Sequence, residues 1–283
     1  MPRPRAPWWM FLVAASFFAF VALIVYQFFF GPSGQDGIES DWGREGMVVL
    51  GVEPNSSAER AGLMLRDRMV SVDGQVIRNS HDWNSIRANS EIGRPERWEI
   101  ARGDRRLQLM VTFQREPLIG WQLPVGVNAD SLGYLVGLLT SFILSLVIAF
   151  SRPNDSVARV GAWLVGTAAI AFGVPAGWAA TWRHLPAFVG VLLWIPQISR
   201  FVADAVLFTF FAIFPKRLFQ AHWPWMLMWA PALLPLPWRI PATYAVIYQP
   251  GHSTGAPEWI YQATALRTVV YLAGRLGGFG GEL

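Results

Sequence analysis

MVVLGVEPNSSAERAGLMLRDRMVSVDG, residues 47–74, is the stretch whose residue order demands one particular compact shape. Residues 47–52 are strand formers, and Glu53-Pro54-Asn55-Ser56 is a turn cluster. Ser57 stands three residues before Arg60 at the mouth of a short Ala-rich helix, which Gly62 closes. A second strand at 69–72 ends at Asp73-Gly74, the pair that suits a tight primed turn, and 75–77 returns as a short strand.

Flanking segments complete a small domain. Residues 81–89 read as a longer helix with Ser80 as N-cap and with Trp83, Ile86 and Arg87 at spacings of three and four. Residues 97–102 and 106–113 read as a hairpin across Gly103-Asp104. Upstream, Gly37-Ile38-Glu39-Ser40 reads as an edge strand entered by a loop at 34–37.

In this order of parts, residues 34–115 resemble the PDZ family in its bacterial version. There a strand, a V-x-P-x-S-x-A-x-x-A-G-L segment, a D-x-h-x-x-h-D-G strand and turn, and a longer helix follow one another. Val52, Pro54, Ser56, Ala58, Ala61, Gly62 and Leu63 match, as do Asp67, Val70, Asp73 and Gly74. The family usually has Gly where this chain has Asn55 and Arg66. The resemblance implies a small α+β domain, a partly open β-barrel with two helices. It also implies binding by β-augmentation, in which a peptide or protein C-terminus adds a strand to the groove edge. The terminal carboxylate would meet the loop holding Gly34, Gly37 and Ile38, with Glu39 following on the edge strand. His81, Trp83 and Ile86 would face it from the helix; the alternative is that Trp83 and Ile86 are core and His81 is solvated.

Beyond this domain the composition is that of a membrane protein. Of 283 residues 53% are hydrophobic, with 15 Trp and 19 Phe, and the mean hydropathy is +0.33. The net charge of +4 comes without a basic stripe or basic helix, which argues against nucleic acid as a partner. With no cysteine there is no disulfide, thiolate zinc site or cysteine nucleophile. Residues 8–30 carry no charge, exceed the apolar core of a signal peptide and end without small residues, so 1–30 reads as an uncleaved anchor in the bilayer. The domain at 31–116, a linker at 117–130 and a multi-pass region at 131–283 follow, with spans near 132–150, 160–178, 189–214, 222–238 and 259–275. The expected fold class is thus a membrane α-helical bundle of about six spans plus the small α+β domain. Arg3, Arg5, Arg152, Arg159, Lys216 and Arg217 on one side outweigh Arg183 and Arg239 on the other. The positive-inside rule then sets the N-terminus in the cytoplasm and the small domain outside.

A second resemblance lies in the order of parts. One span, an outside PDZ-like domain, an R-P-x-D-x-x-A-R turn (Arg152, Pro153, Asp155, Ala158, Arg159) and Phe214-Pro215-Lys216-Arg217-Leu218 look like membrane sensor regions of bacterial signalling proteins. In those, a cytoplasmic phosphatase or histidine-kinase domain follows the last span. Here the sequence stops at Gly281-Glu282-Leu283, which implies a missing output domain or a separate cytoplasmic kinase or phosphatase as partner.

Catalytic patterns are weak. Gly251-His252-Ser253-Thr254-Gly255 matches a nucleophile elbow, but neither His nor Asp follows Ser253. His81, His184, His222 and His252 are isolated, so no zinc helix forms. The expectation is a non-enzymatic receptor without cofactor or metal; a scaffold recruiting an envelope protease or its substrate is the alternative, and an intramembrane protease the remote one. Arg200 and Asp204, at i, i+4 spacing within an expected span, read as a charge pair on one helix face. Gly133/Gly137 and Gly173/Gly177 fit small-xxx-small helix packing.

Overall fold

The computed structural model describes residues 6–32, 37–43, 46–114, 129–171 and 175–251. Among these, one six-stranded antiparallel sheet and eleven helices form a mixed α+β architecture. The chain opens with α1 (Trp8–Phe30), then β1 (Ile38–Gly43), β2 (Gly46–Val52), α2 (Ser57–Arg60), β3 (Arg68–Val72), β4 (Gln75–Val76), α3 (Ser80–Ala88), β5 (Pro95–Arg102) and β6 (Arg105–Thr112). Strands run in the order β1-β2-β3-β5-β6, with β4 paired to β3.

Local chemistry explains these elements. Ser56 caps α2 by accepting from the Glu59 N–H at 3.1 Å, and Gly62 ends it at φ 84°. Asp73 and Gly74, at φ 49° and 82°, make the tight turn into β4. Asn55 and Arg66 take φ 63° and 69°, so the two positions where the resemblance expects Gly do adopt the left-handed conformation. The N-cap of α3 is Asn79 rather than Ser80, because the Asn79 side chain accepts from the Asp82 N–H at 2.9 Å. The sheet's apolar face and the two small helices enclose Met47, Val49, Leu63, Met69, Ile86, Trp98, Ile100 and Phe113.

The remaining helices are α4 (Ala129–Ser151), α5 (Ser156–Ala171), α6 (Trp178–His184), α7 (Ala187–Leu192), α8 (Trp194–Phe201), α9 (Ala203–Ile213), α10 (Trp223–Leu233) and α11 (Leu236–Tyr248). Of these, α4 to α8 and α11 pack with α1 around Phe20, Ile24, Leu138, Ile170, Trp182 and Leu193, while α9 and α10 meet α5 around Ala205, Val206 and Ala232. The expectation of about six spans is corrected here. Among the described residues two helices are long and apolar enough to cross a membrane, α1 and residues Leu132–Ser151 of α4. The pair Ala187–Phe201 and Ala203–Ile213, bent by 64°, makes a third if it is one span. The expected span at 160–178 is replaced by the 16-residue α5 and the separate α6, and the one at 222–238 by α10 and α11. The reason is the placement of Gly and Pro: Gly177 at φ 79° precedes α6, Pro186 precedes α7, and Pro235 precedes α11. Each starts a new short helix where average apolarity suggested a continuous one. The span expected at 259–275 lies outside the described residues.

Candidate functional site

β1 is an outer strand of the sheet, as β6 is at the other edge, and it pairs to β2 from Ile38↔Val52 to Gly43↔Gly46 with a bulge between Glu39 and Ser40. An outer strand offers backbone groups along its far side to another extended chain. Gly37 enters it at φ 61° and is buried, and its carbonyl accepts from the Glu53 N–H at 2.7 Å. A Cβ on Gly37 would overlap the Ser56 side chain, so this loop closes against the N-terminus of α2 only because the residue is Gly. Ile38 is half-buried against the sheet core and Glu39 is exposed. Gly34 lies outside the described residues.

On α3 the three residues named from sequence part company. Ile86 is buried in the sheet core, and Trp83 meets Trp98 edge-on at 5.8 Å between ring centres. His81 is half-buried, with Nε2 3.4 Å from Ser85 Oγ on the next turn. Burial pushes the His81 imidazole below its ordinary pKa, against the opposing pull of Asp82. Arg87 reaches back across the core boundary, its guanidinium 5.7 Å from the Trp83 ring and 4.9 Å from that of Phe113.

The far end of α3 is what sequence reasoning missed. Ala88, one residue from Arg87, is buried in the helix-bundle core with Phe20, Trp182 and Ile247. The Arg87 carbonyl accepts from the Gly177 N–H at 2.8 Å. Asn89 Nδ2 donates to the Val246 carbonyl at 3.0 Å. Arg183 donates to Asn89 Oδ1 at 3.2 Å, to the Ile247 carbonyl at 3.2 Å and to Glu91 at 3.3 Å. On the other side, Gln27 of α1 donates to the Gly177 carbonyl at 3.1 Å and to the Thr181 hydroxyl. Gly177 therefore serves as the N-cap of α6, touching α1 and α3, and not as a small residue inside a helix. The partners lie about ninety residues apart in the chain, and no local pattern signals them.

Arg200 and Asp204 stand on two helices, α8 and α9, on either side of the 64° bend, and not on one face of a single helix. Arg200 donates to Gln197 Oε1 at 3.1 Å and lies 5.9 Å from the Phe20 ring. Among the described residues no group of three His, Cys, Asp or Glu could hold a metal ion. Ser253 and its flanking pattern fall outside the described residues.

A Synechocystis protein that carries the name serine protease HhoA is 36% identical over 67 residues, a match spanning 24% of this chain and 17% of that protein. No family model matches the chain. The expectation of a chain without enzymatic activity is corrected by this likeness to a protein named as a serine protease, which covers 24% of the sequence.

Proposed function

We propose that the chain is a membrane-anchored peptide receptor, in which an extended protein C-terminus adds to β1 as a further strand and α3 reports its presence to the helix bundle. The observation that supports this most directly is that α3 belongs to two cores, with Ile86 in that of the sheet and Ala88 in that of the bundle. A peptide lying beside β1 and α3 changes the bundle only if it binds one placement of α3 better than another. On this reading the PDZ-like domain faces away from the cytoplasm, and a cytoplasmic kinase or phosphatase receives the output.

The test is binding of a library of labelled C-terminal peptides to the full chain in detergent, followed by anisotropy. Saturable binding that Gly37→Val abolishes supports the reading. Binding that amidation of the peptide C-terminus leaves unchanged overturns the carboxylate assignment, and the absence of any binding overturns the receptor.

The likeness to a protein named as a serine protease favours a second reading, in which the groove serves proteolysis at the membrane. Labelling of the full chain by a fluorophosphonate would place catalysis in this chain. Co-purification of a separate labelled protease would instead support recruitment.

A further inference from the structure

We propose that the cleft between α1, α4, α5 and α8 holds one acyl chain of an anionic glycerophospholipid, with its phosphate on Arg159. The cleft has a volume of about 460 Å³, within the range of about 300–1,000 Å³ typical of small-molecule sites. Met10, Val13, Phe17, Leu146, Phe150 and Ile195 supply its apolar walls. Two of its three hydroxyls are already committed to the protein, and the third, that of Ser156, belongs to the first residue of α5, three before Arg159. Ser145 Oγ donates to the Ala162 carbonyl at 2.7 Å, and Ser199 Oγ donates to the Ile195 carbonyl at 2.9 Å while accepting from Trp163 Nε1 at 3.1 Å. Away from Ser156 and Arg159, what faces the cavity is hydrocarbon, which suits an alkyl chain and not water.

One rim is different. The Arg159 guanidinium lies 5.8 Å from the Trp9 ring centre, and both residues line the cleft. The nearest acid in sequence, Asp155, accepts from the N–H groups of Val157 and Ala158 at 2.9 and 3.4 Å and so caps the start of α5. Among the described residues Arg159 has no carboxylate within ion-pair distance. Phe11 meets Phe150 at 5.1 Å, which sets the start of α1 beside the end of α4. The Trp9 and Arg159 rim therefore lies where two membrane-length helices end, at the depth of lipid headgroups. A cation lacking a carboxylate, held over a tryptophan at the mouth of an apolar cleft, is complementary to an amphiphile with a negative head. This assignment does not depend on the peptide reading.

Delipidated full-length chain in neutral detergent is titrated with palmitoyl-oleoyl phosphatidylglycerol or with the phosphatidylcholine of the same chains, and bound lipid is counted by native mass spectrometry. One phosphatidylglycerol is expected to bind about fivefold more tightly than phosphatidylcholine, the effect of a single cation near a headgroup. Arg159→Gln is expected to bring phosphatidylglycerol down to the phosphatidylcholine level, and Ala149→Phe, which fills the cleft, to weaken both. Equal binding of the two lipids by the native chain, or phosphatidylglycerol binding untouched by Arg159→Gln, overturns the headgroup contact. Binding untouched by Ala149→Phe overturns the cleft.

Discussion

The N–H of Gly177 donates to the carbonyl of Arg87 at 2.8 Å, joining the last turn of a helix in the sheet domain to the first residue before a helix of the bundle. Gly177 sits at φ 79°, and a Cβ there would approach Pro32 Cδ at 2.8 Å and the Ser90 carbonyl oxygen at 2.9 Å. Gly177→Ala must therefore accept a left-handed backbone, costing about 1–2 kcal/mol, and must push α1, α3 or both away. The expected outcome is loss of the dock with the sheet domain intact. Hydrogen exchange at residues 87–91 should rise while that of β3 and β5 stays as in the native chain.

Arg183 ties Asn89, Glu91 and Ile247 together at 3.2 to 3.3 Å. The Arg183 and Glu91 side chains are 22% and 35% exposed, so their mutual attraction is partly screened. A double-mutant cycle on Arg183→Met and Glu91→Gln is expected to give a coupling of about 0.2–1 kcal/mol. If α3 relays occupancy of the groove, Arg183→Met also changes the affinity for peptide, although the residue stands on the bundle. An unchanged affinity would separate the dock from the groove.

The difference between what was and was not readable follows from the range of the forces. The strand, turn and helix order at 47–77 was legible because Gly62 and Asp73-Gly74 act on backbone within three or four residues of themselves, although the cap of α2 is Ser56, one residue before the Ser57 read at its mouth. The cap of α3 shifted by one residue because Asn79 and Ser80 are both good caps, and only the geometry of the Asp82 N–H decides between them. Span counting overshot because apolarity averaged over residues 160–178 does not register that Gly177 takes a left-handed backbone and begins a new helix. The dock was invisible because Asn89 and Glu91 carry no local pattern that points to Arg183.

Asp67 is the residue on which the 62–67 turn closes. It is fully buried, and Arg102 grips it through Nε to Oδ1 at 2.8 Å and Nη2 to Oδ2 at 2.7 Å. The Met64 N–H donates to Oδ2 at 2.8 Å, and Arg102 also donates to the Gly62 carbonyl at 2.8 Å. These bonds hold Arg66 at φ 69°, a conformation a non-glycine residue adopts only when its surroundings impose it. Asp67→Asn keeps the shape and removes the charge, so it should destabilise the sheet domain by about 1.5–3 kcal/mol, the worth of a charged hydrogen bond. Arg66→Gly should be neutral or stabilising. Pulse proteolysis in urea measures both, and an Asp67→Asn chain as stable as the native one would remove the ion pair from this role.

Two titrating groups in the sheet domain, the half-buried His81 and the buried Glu96, predict opposite pH slopes. Burial holds the His81 imidazole below its ordinary 6.5, so the unfolded chain binds a proton that the folded chain resists. Stability is therefore lost as pH falls below about 6.5 and stops falling once the folded-state pKa is passed. Glu96 is the reverse case: burial raises its carboxyl above 4.5, against the pull of its hydrogen bond with Trp98, of the Ser90 hydroxyl and of the Arg87 charge. The folded chain keeps this proton longer than the unfolded one, so stability is lost as pH rises from 4.5 through the raised value. Glu96→Gln can still accept from Trp98 Nε1, which the native Oε2 does at 3.0 Å. It should therefore stabilise the domain at neutral pH, with the gain vanishing as the pH approaches 4.5. His81→Gln should flatten the acid slope below 6.5 and leave the Glu96 slope in place. Pulse proteolysis across this pH range separates them, and a Glu96→Gln chain that is less stable than the native one at neutral pH would show that the ionised carboxylate, paired with Arg87, outweighs its own burial.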